Sequence, residues 1–143
     1  MRFMIIIKSD EKTDAGRVPS EAEFTAMAAF NQEMADAGIL LGAEGLLDSG
    51  KGARVRMTGG KTTITDGPFT EAKELVAGFW LIRAGSLQEA LDWAARVPSP
   101  PDIETNLEVR QVVEAAEDFA ENYTEELKQG EDRLRAQIAG NEG

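Results

Sequence analysis

Ionisable side chains that could carry out acid–base chemistry are concentrated in residues 65–74. Asp66 and Glu71 could act as an acid and a base on a polar substrate, and Lys73 could stabilise an anionic intermediate. Each carboxylate also has a structural interpretation. Asp66 could accept backbone N–H bonds within a turn, and Glu71 could lie favourably at the positive end of a short helix. The stretch is therefore a candidate site in which both kinds of role remain open.

The residues between these charged groups predict a stiff loop. Gly67 can adopt backbone angles closed to other residues, and Pro68 fixes its own φ. Phe69 supplies a large apolar anchor that we expect to be buried, and Thr70 can cap a helical turn over residues 71–75. A stiff loop would hold its charged groups close together.

Two further residues could complete a binding site. Glu44 is flanked by small and apolar residues at the end of a predicted strand, where burial is costly unless the charge is paired. It could form a second wall facing Lys73 or Arg54, or be an exposed strand-end residue. Arg54 and Arg56 share one face of a predicted strand and could hold a carboxylate or a phosphate, although a solvated outer face is the stronger explanation.

Composition excludes several kinds of chemistry. The chain has no cysteine and no histidine, which removes thiolate nucleophiles, zinc–sulfur sites and the commonest general base and metal ligand. No metal site is predicted. No cofactor is predicted either, because the glycines never form a phosphate loop or a dinucleotide fingerprint. The net charge of −11 argues against a nucleic-acid partner, since phosphate binding needs clustered Lys and Arg.

Hydropathy indicates no membrane partner. No run approaches the roughly 18 apolar residues of a membrane span. The apolar opening, residues 3–7, is followed at once by Lys8 and has no small-residue cleavage site, so it predicts a strand rather than a signal peptide. We therefore expect a cytoplasmic protein.

The order of predicted elements is β-α-β-β-β-α-β, which describes a ferredoxin-like α+β unit with an additional hairpin. Two helices begin at Ser20 and Ser86, each followed three residues later by a glutamate, as in a capping box. Gly59-Gly60 is typical of a two-residue hairpin turn. The predicted strands cover residues 2–8, 39–44, 53–58, 61–65, 76–82 and 104–112.

Two of these strands, residues 2–8 and 76–82, are apolar on both faces. Two helices can cover only one face of such a sheet, so the other face must be buried elsewhere. In a chain this short, a second copy is the simplest cover, which predicts a homodimer with twofold symmetry.

The run Asp66-Gly67-Pro68-Phe69-Thr70-Glu71-Ala72-Lys73-Glu74 resembles the signature of the YCII-related, or DGPF-domain, family. The match extends over residues 1–113 through the opening Met-Arg-Phe-Met-Ile-Ile-Ile-Lys, Gly-Ala-Glu-Gly-Leu at 42–46, Ala-Gly-Phe-Trp at 77–80 and Glu-Val-Arg-Gln-Val at 108–112. This chain differs from the usual signature at Thr70 and Ala72. The resemblance implies a dimeric α/β barrel in which two sheets face each other.

The resemblance gives little about a reaction. Some YCII-related proteins look like small lyases or dehydrohalogenases that use a histidine and an aspartate, and that mechanism does not carry over to a chain without histidine. Relatives are often found near extracytoplasmic-function sigma factors, which suits sensing or protein interaction.

We therefore expect a YCII-related domain over residues 1–113 and an acidic, helical arm over 114–143. The arm should pack on its own domain or on the partner subunit through Phe119, Tyr123 and Leu127. Three functions remain open: a small-molecule-binding or sensing homodimer, a lyase-like enzyme using carboxylates, and a protein-interaction module that docks through the arm. The predicted ligand-binding residues are Glu44, Arg54, Asp66, Phe69, Glu71 and Lys73, with Glu71 and Asp66 as catalytic candidates.

Overall fold

The computed structural model describes residues 1–71 and 74–141. The chain divides after Gln111 into two compact units, Met1–Gln111 and a second unit that begins at Val112. None of the described helices is both long enough and apolar enough to cross a membrane.

The first unit follows the predicted order of strands and long helices. It adds a four-residue helix where a loop was expected, and its last strand begins three residues later than predicted. The elements are β1 (Arg2–Lys8), α1 (Glu11–Asp14), α2 (Glu21–Asp36), β2 (Leu40–Gly45), a 3-10 turn (Ser49–Lys51), β3 (Ala53–Thr58), β4 (Lys61–Asp66), β5 (Val76–Arg83), α3 (Leu87–Ala94) and β6 (Leu107–Gln111). The mixed α+β, ferredoxin-like fold class is confirmed.

The main sheet has four antiparallel strands in the order β2-β5-β1-β6. Ile5 lies opposite Trp80 on one side and Val109 on the other, so β1 and β5 form the centre. Strands β3 and β4 pair with each other in a separate two-stranded sheet. The hairpin therefore lies between β2 and β5 in the chain, but it does not extend the main sheet.

Both long helices pack on the same face of the main sheet. The sheet contributes Phe3, Ile5, Trp80 and Ile82, each at most 3% exposed, and the helices contribute Phe30, Met34, Ala90 and Ala94. Fully burying one large apolar side chain stabilises the fold by about 1.5–3 kcal/mol, so this layer is the main source of stability.

The first predicted capping box is confirmed, and the second is shifted by one residue. Ser20 accepts a hydrogen bond from the Glu23 N–H, and the Glu23 carboxylate accepts one from the Ser20 N–H. In α3, the Ser86 hydroxyl likewise accepts a hydrogen bond from the Glu89 N–H, but the Glu89 carboxylate accepts one from the Gly85 N–H. The two N-cap residues also differ in backbone angle, with a φ of −159° for Ser86 and −75° for Ser20.

The hairpin has the predicted turn but lies exposed along its whole length. Gly59 and Gly60 have φ values of 57° and 79°, as a type I′ turn requires. The alternation of Val55 and Met57 with Arg54 and Arg56 predicts that the two apolar side chains point inward, but they are 58% and 77% exposed. That prediction is wrong because the hairpin does not pack on the main sheet.

The second unit contains α4 (Ala115–Asp118) and α5 (Glu125–Asn141). The predicted arm is therefore helical, but as two helices and with different bounds. A glycine at position 130 predicts an interruption of the helix, but Gly130 lies inside α5. The Tyr123 hydroxyl donates to the Glu131 carboxylate, and this hydrogen bond raises the pKa of Tyr123.

Candidate functional site

The turn after β4 is formed differently from the prediction. The Gly67 N–H donates to the Gly52 carbonyl at 3.0 Å, and Pro68 has no N–H to offer. The Asp66 carboxylate makes no hydrogen bond within the part of the chain that the structure describes, and the side chain is exposed. The expected role of Asp66 as a turn acceptor is therefore wrong.

Gly67 is required by a close approach to Ser49. A Cβ atom at position 67 would lie 1.8 Å from the Ser49 carbonyl oxygen, and the neighbour is backbone, which cannot simply rotate away. On the other side of the turn, the Phe69 N–H donates to the Ser49 hydroxyl at 3.0 Å. The loop is thus fixed against the 3-10 turn.

Ser49 in turn is held by Asp14, the last residue of α1. The Asp14 carboxylate accepts from the Ser49 N–H and from the Ser49 hydroxyl, both at 2.7 Å. An Asp14–Ser49–Phe69 chain of hydrogen bonds therefore connects α1 to the loop. Sequence reasoning missed both Asp14 and Ser49, which lie 35 residues apart and belong to no recognisable local pattern.

The predicted site residues are only partly brought together. The Arg54 guanidinium lies over the Phe69 ring, 4.0 Å from its centroid, so these two form a cation–π contact. Phe69 is partly buried and lies outside the buried core cluster, contrary to expectation. Glu71 is exposed. Lys73, and part of the helical turn expected after Thr70, lie outside the described residues.

A cavity lies elsewhere, between the end of β1, the start of α2 and residues 98–105. Its volume is about 680 Å³, within the range of small-molecule sites. The lining is largely apolar and includes Ile7, Val18, Ala26, Met27, Pro98 and Ile103. We call it the main cavity. None of Glu44, Arg54, Asp66, Phe69 and Glu71 lines it.

Prolines explain the irregular wall of the main cavity. Pro98, Pro100 and Pro101 follow α3 and cannot continue a helix or donate to a sheet. The chain therefore crosses from α3 to β6 without regular structure. This segment stands opposite α2 and leaves the space between them unfilled.

Three of the six charged side chains at the main cavity are engaged in local structure. Arg17 donates to the Glu23 carboxylate at 2.5 Å; this bond lowers the pKa of Glu23 and raises that of Arg17. Asp10 caps α1 by accepting from the Thr13 N–H at 2.6 Å, which lowers the pKa of Asp10. These bonds fix the entrance of the cavity.

Helix α1 joins the loop to the main cavity. Asp10 and Thr13 line the cavity, while Asp14 at the end of the same helix holds Ser49 and, through it, Phe69. The loop therefore supports an element that forms part of the cavity wall.

Glu44 lines a second, smaller cavity of about 190 Å³ together with Asn31 and Trp80. This cavity shares Ile7 and Met27 with the main cavity, so the two adjoin. The Trp80 indole N–H donates to the Asn31 side-chain oxygen at 2.7 Å and fixes its wall. Among the described residues, no group of three or more acidic side chains is arranged to hold a metal ion.

Comparison with known proteins identifies the family of this chain. The model of the YCII-related domain matches residues 1–116. An uncharacterised protein of Rhizobium meliloti (strain 1021) is 31% identical over 112 residues, which cover 77% of this chain and 90% of that protein. The chain therefore belongs to the YCII-related family.

Proposed function

We propose that this protein is a cytoplasmic small-molecule-binding homodimer whose ligand occupies the main cavity. The observation that carries the proposal is the cavity itself, about 680 Å³ with a largely apolar lining. Val18 and Phe24 belong to this lining and are 83% and 61% exposed, so a bound apolar ligand would remove their surface from water.

Catalysis by Glu23 or Asp10, two of the four acidic residues that line the cavity, is disfavoured by the hydrogen bonds that hold them. A general base must be free to take a proton, and its pKa is best placed near the working pH. Glu23 is held by Arg17 and by the Ser20 N–H, and Asp10 is held by the Thr13 N–H. These bonds stabilise the charged carboxylates and make them poor proton acceptors.

The loop at residues 66–71 has a positioning role in this proposal, because the Asp14–Ser49–Phe69 hydrogen bonds support α1. Direct ligand contacts from Glu44, Arg54, Asp66, Phe69, Glu71 and Lys73 stay a prediction. Glu71→Gln and Lys73→Ala should each reduce ligand binding at least tenfold if the loop touches the ligand. If neither variant changes binding or turnover, the loop only supports the wall.

The homodimer would form through the face of the main sheet opposite α2 and α3. Four apolar side chains of the central strands alternate with the core residues and share this face: Met4, Ile6, Phe79 and Leu81. Met4 lies opposite Leu81 and Ile6 opposite Phe79, so they form a continuous apolar patch. A stable dimer needs about 800 Å² from each partner, which one sheet face of this kind can provide.

The cavity is tested with the neutral dye Nile red, whose fluorescence rises in apolar surroundings. Ala26 and Ala29 are both exposed on α2, but only Ala26 lines the main cavity. Ala26→Trp should fill the cavity and weaken dye binding at least tenfold, while Ala29→Trp should leave binding unchanged. Equal effects of the two variants would place the dye elsewhere.

The dimer is tested by sedimentation velocity at micromolar concentration. Leu81→Lys puts a charge in the proposed interface and should give a monomer. Leu87→Lys, at a 51% exposed position on α3, is the matched control and should remain a dimer. A monomeric unmodified protein would contradict the homodimer, and circular dichroism of both variants would check that they fold.

A second candidate function, docking of a protein partner through the arm, is favoured by one feature of α5. Leu127, Leu134 and Ile138 recur at helical spacing and are 52%, 54% and 49% exposed. They form one apolar stripe on an otherwise charged helix. Deleting residues 114–143 should abolish partner binding but preserve dye binding if this role is correct.

A further inference from the structure

We infer that the ligand of the main cavity is an amphipathic cation, with an apolar body and a positively charged head group. The inference rests on the proposed function, since it specifies the chemistry of the ligand in that cavity. It is carried by the charges that line an otherwise apolar space.

Acidic side chains outnumber basic ones in the lining by four to two. The acidic residues are Asp10, Glu23, Asp102 and Glu104, and the basic residues are Lys8 and Arg17. The lining therefore carries a formal charge of −2, of the same sign as the whole chain at −11. Its field attracts a cation and repels an anion.

Arg17 is not available to bind an anionic ligand. Its guanidinium is hydrogen-bonded to Glu23, and Asp10 and Asp102 also attract its charge. One guanidinium thus faces three carboxylates, and the excess around it is negative. A ligand carboxylate placed here would compete with groups that are already in position.

Residues 98–105 carry the remaining acidic charge of the lining. Asp102 and Glu104 are both exposed, two positions apart on the irregular wall, and within the described residues neither side chain makes a hydrogen bond or a salt bridge. Lys8, partly buried at the end of β1, offsets one charge. A singly charged cationic head group beside Asp102 and Glu104, which we call the rim, would reduce the net charge of the lining from −2 to −1 and would act within the screening distance of roughly 8–10 Å.

The apolar body of the ligand follows from the rest of the lining. Ile7, Met27 and Ile103 come from β1, α2 and the irregular wall respectively, so the cavity presents apolar surface from three sides. A primary or quaternary amine on an alkyl or aromatic body has the required chemistry. A small polar cation, such as a free diamine, would leave this surface uncovered.

Calorimetric titration with three probes of equal chain length tests the inference. Octylammonium, octanol and octanoate differ only in the head group and are used below their aggregation concentrations at equal ionic strength. We expect octylammonium to bind at least tenfold more tightly than octanoate and more tightly than octanol. Added salt should reduce the preference.

Paired variants locate the source of the preference. Asp102→Asn combined with Glu104→Gln should remove most of the preference for octylammonium while octanol still binds. Asp132→Asn combined with Glu121→Gln makes the same change in net charge in the second unit, and should leave the preference unchanged.

The possible outcomes separate this inference from the proposed function. If octanoate or octanol binds as tightly as octylammonium, the cation inference is overturned while the cavity remains a ligand site. If none of the three binds, the proposed function fails and the inference fails with it. If both paired variants lose the preference equally, overall charge explains it and the rim does not.

Discussion

Two antiparallel sheets in this chain differ sharply in their surroundings. Phe3 and Ile5 in the four-stranded sheet are 1% and 0% exposed, whereas Val55 and Met57 in the hairpin are 58% and 77% exposed. Each pair lies two residues apart and therefore shares one face of its strand, although β1 is apolar on both faces and β3 alternates with arginines. An apolar strand face is therefore not sufficient for burial, which requires a second element that faces it. Helices α2 and α3 supply that element for the main sheet.

The hairpin is held at its base rather than through its faces. An isolated two-stranded hairpin is marginally stable in water. Here Gly67 bonds to Gly52 and Phe69 bonds to Ser49, close to where the two strands begin and end. The strands project from a fixed base, and their stability depends on the backbone ladder, the Gly-Gly turn and these contacts.

The largest expected effect contrasts equivalent apolar positions in the two sheets. Phe3→Ala should reduce the free energy of unfolding by about 3–5 kcal/mol, because it leaves a cavity in the core. Val55→Ala should change it by less than about 0.5 kcal/mol, as for most exposed positions. Urea unfolding measures both. A comparable loss for Val55→Ala would mean that the hairpin is covered in solution.

The next effect tests the base of the hairpin. Gly67→Ala should cost about 1–3 kcal/mol, as overpacking does, because the new methyl group overlaps the Ser49 carbonyl. Gly45→Ala is the control, since a Cβ atom there meets nothing within 4 Å. If thermal unfolding shows no difference between the two variants, the contact with Ser49 does not constrain the loop.

A pair of aspartates sharpens the comparison further. Asp14→Ala removes two hydrogen bonds to Ser49 and should cost about 1–2 kcal/mol. Asp66→Ala, at the end of the hairpin, removes a carboxylate that makes no hydrogen bond in the described part of the chain, and should change stability by less than about 0.5 kcal/mol. The reverse order in urea unfolding would restore Asp66 as a structural residue of the turn.

The smallest expected effect is a pH dependence of stability. It concerns Glu23 in α2, one of the two helices that cover the main sheet. Bonds from Arg17 and the Ser20 N–H lower the pKa of Glu23 in the folded protein below its ordinary value of 4.5. Its stabilising contribution is therefore present above the unfolded-state pKa and is lost as the pH falls through the lower, folded-state pKa. Glu23→Gln should be less stable than the unmodified protein at pH 7, with a smaller difference at pH 3. A difference independent of pH would contradict this linkage.

Much of the fold follows from the sequence because its signals are local. The Ser20–Glu23 capping box and the Gly59-Gly60 turn each depend on residues within one turn of each other, and both were predicted. Helix α1 was missed because four residues show no apolar periodicity, and only the capping by Asp10 stabilises its start. A short helix without an apolar stripe cannot be distinguished from a polar loop.

The candidate site was harder to predict because it depends on contacts between distant segments. The sequence predicts a stiff loop, but the reason Gly67 is needed lies in Ser49, and Asp14 is farther away still. The main cavity lies between α2 and residues 98–105. Its presence depends on the spacing of these two segments, which cannot be predicted from the sequence of either one.

The hairpin's point of insertion bears on how the chain can evolve. The chain leaves β2 at Leu46 and returns at Ala77, and the Leu46 N–H donates to the Ala77 carbonyl at 2.8 Å. The two ends of the intervening segment are thus already neighbours in the ladder between β2 and β5. We therefore expect that changes of length between these two ends leave the register of the main sheet unaltered. A change that removed Ser49 would affect Asp14, because the Asp14 carboxylate accepts two hydrogen bonds from Ser49.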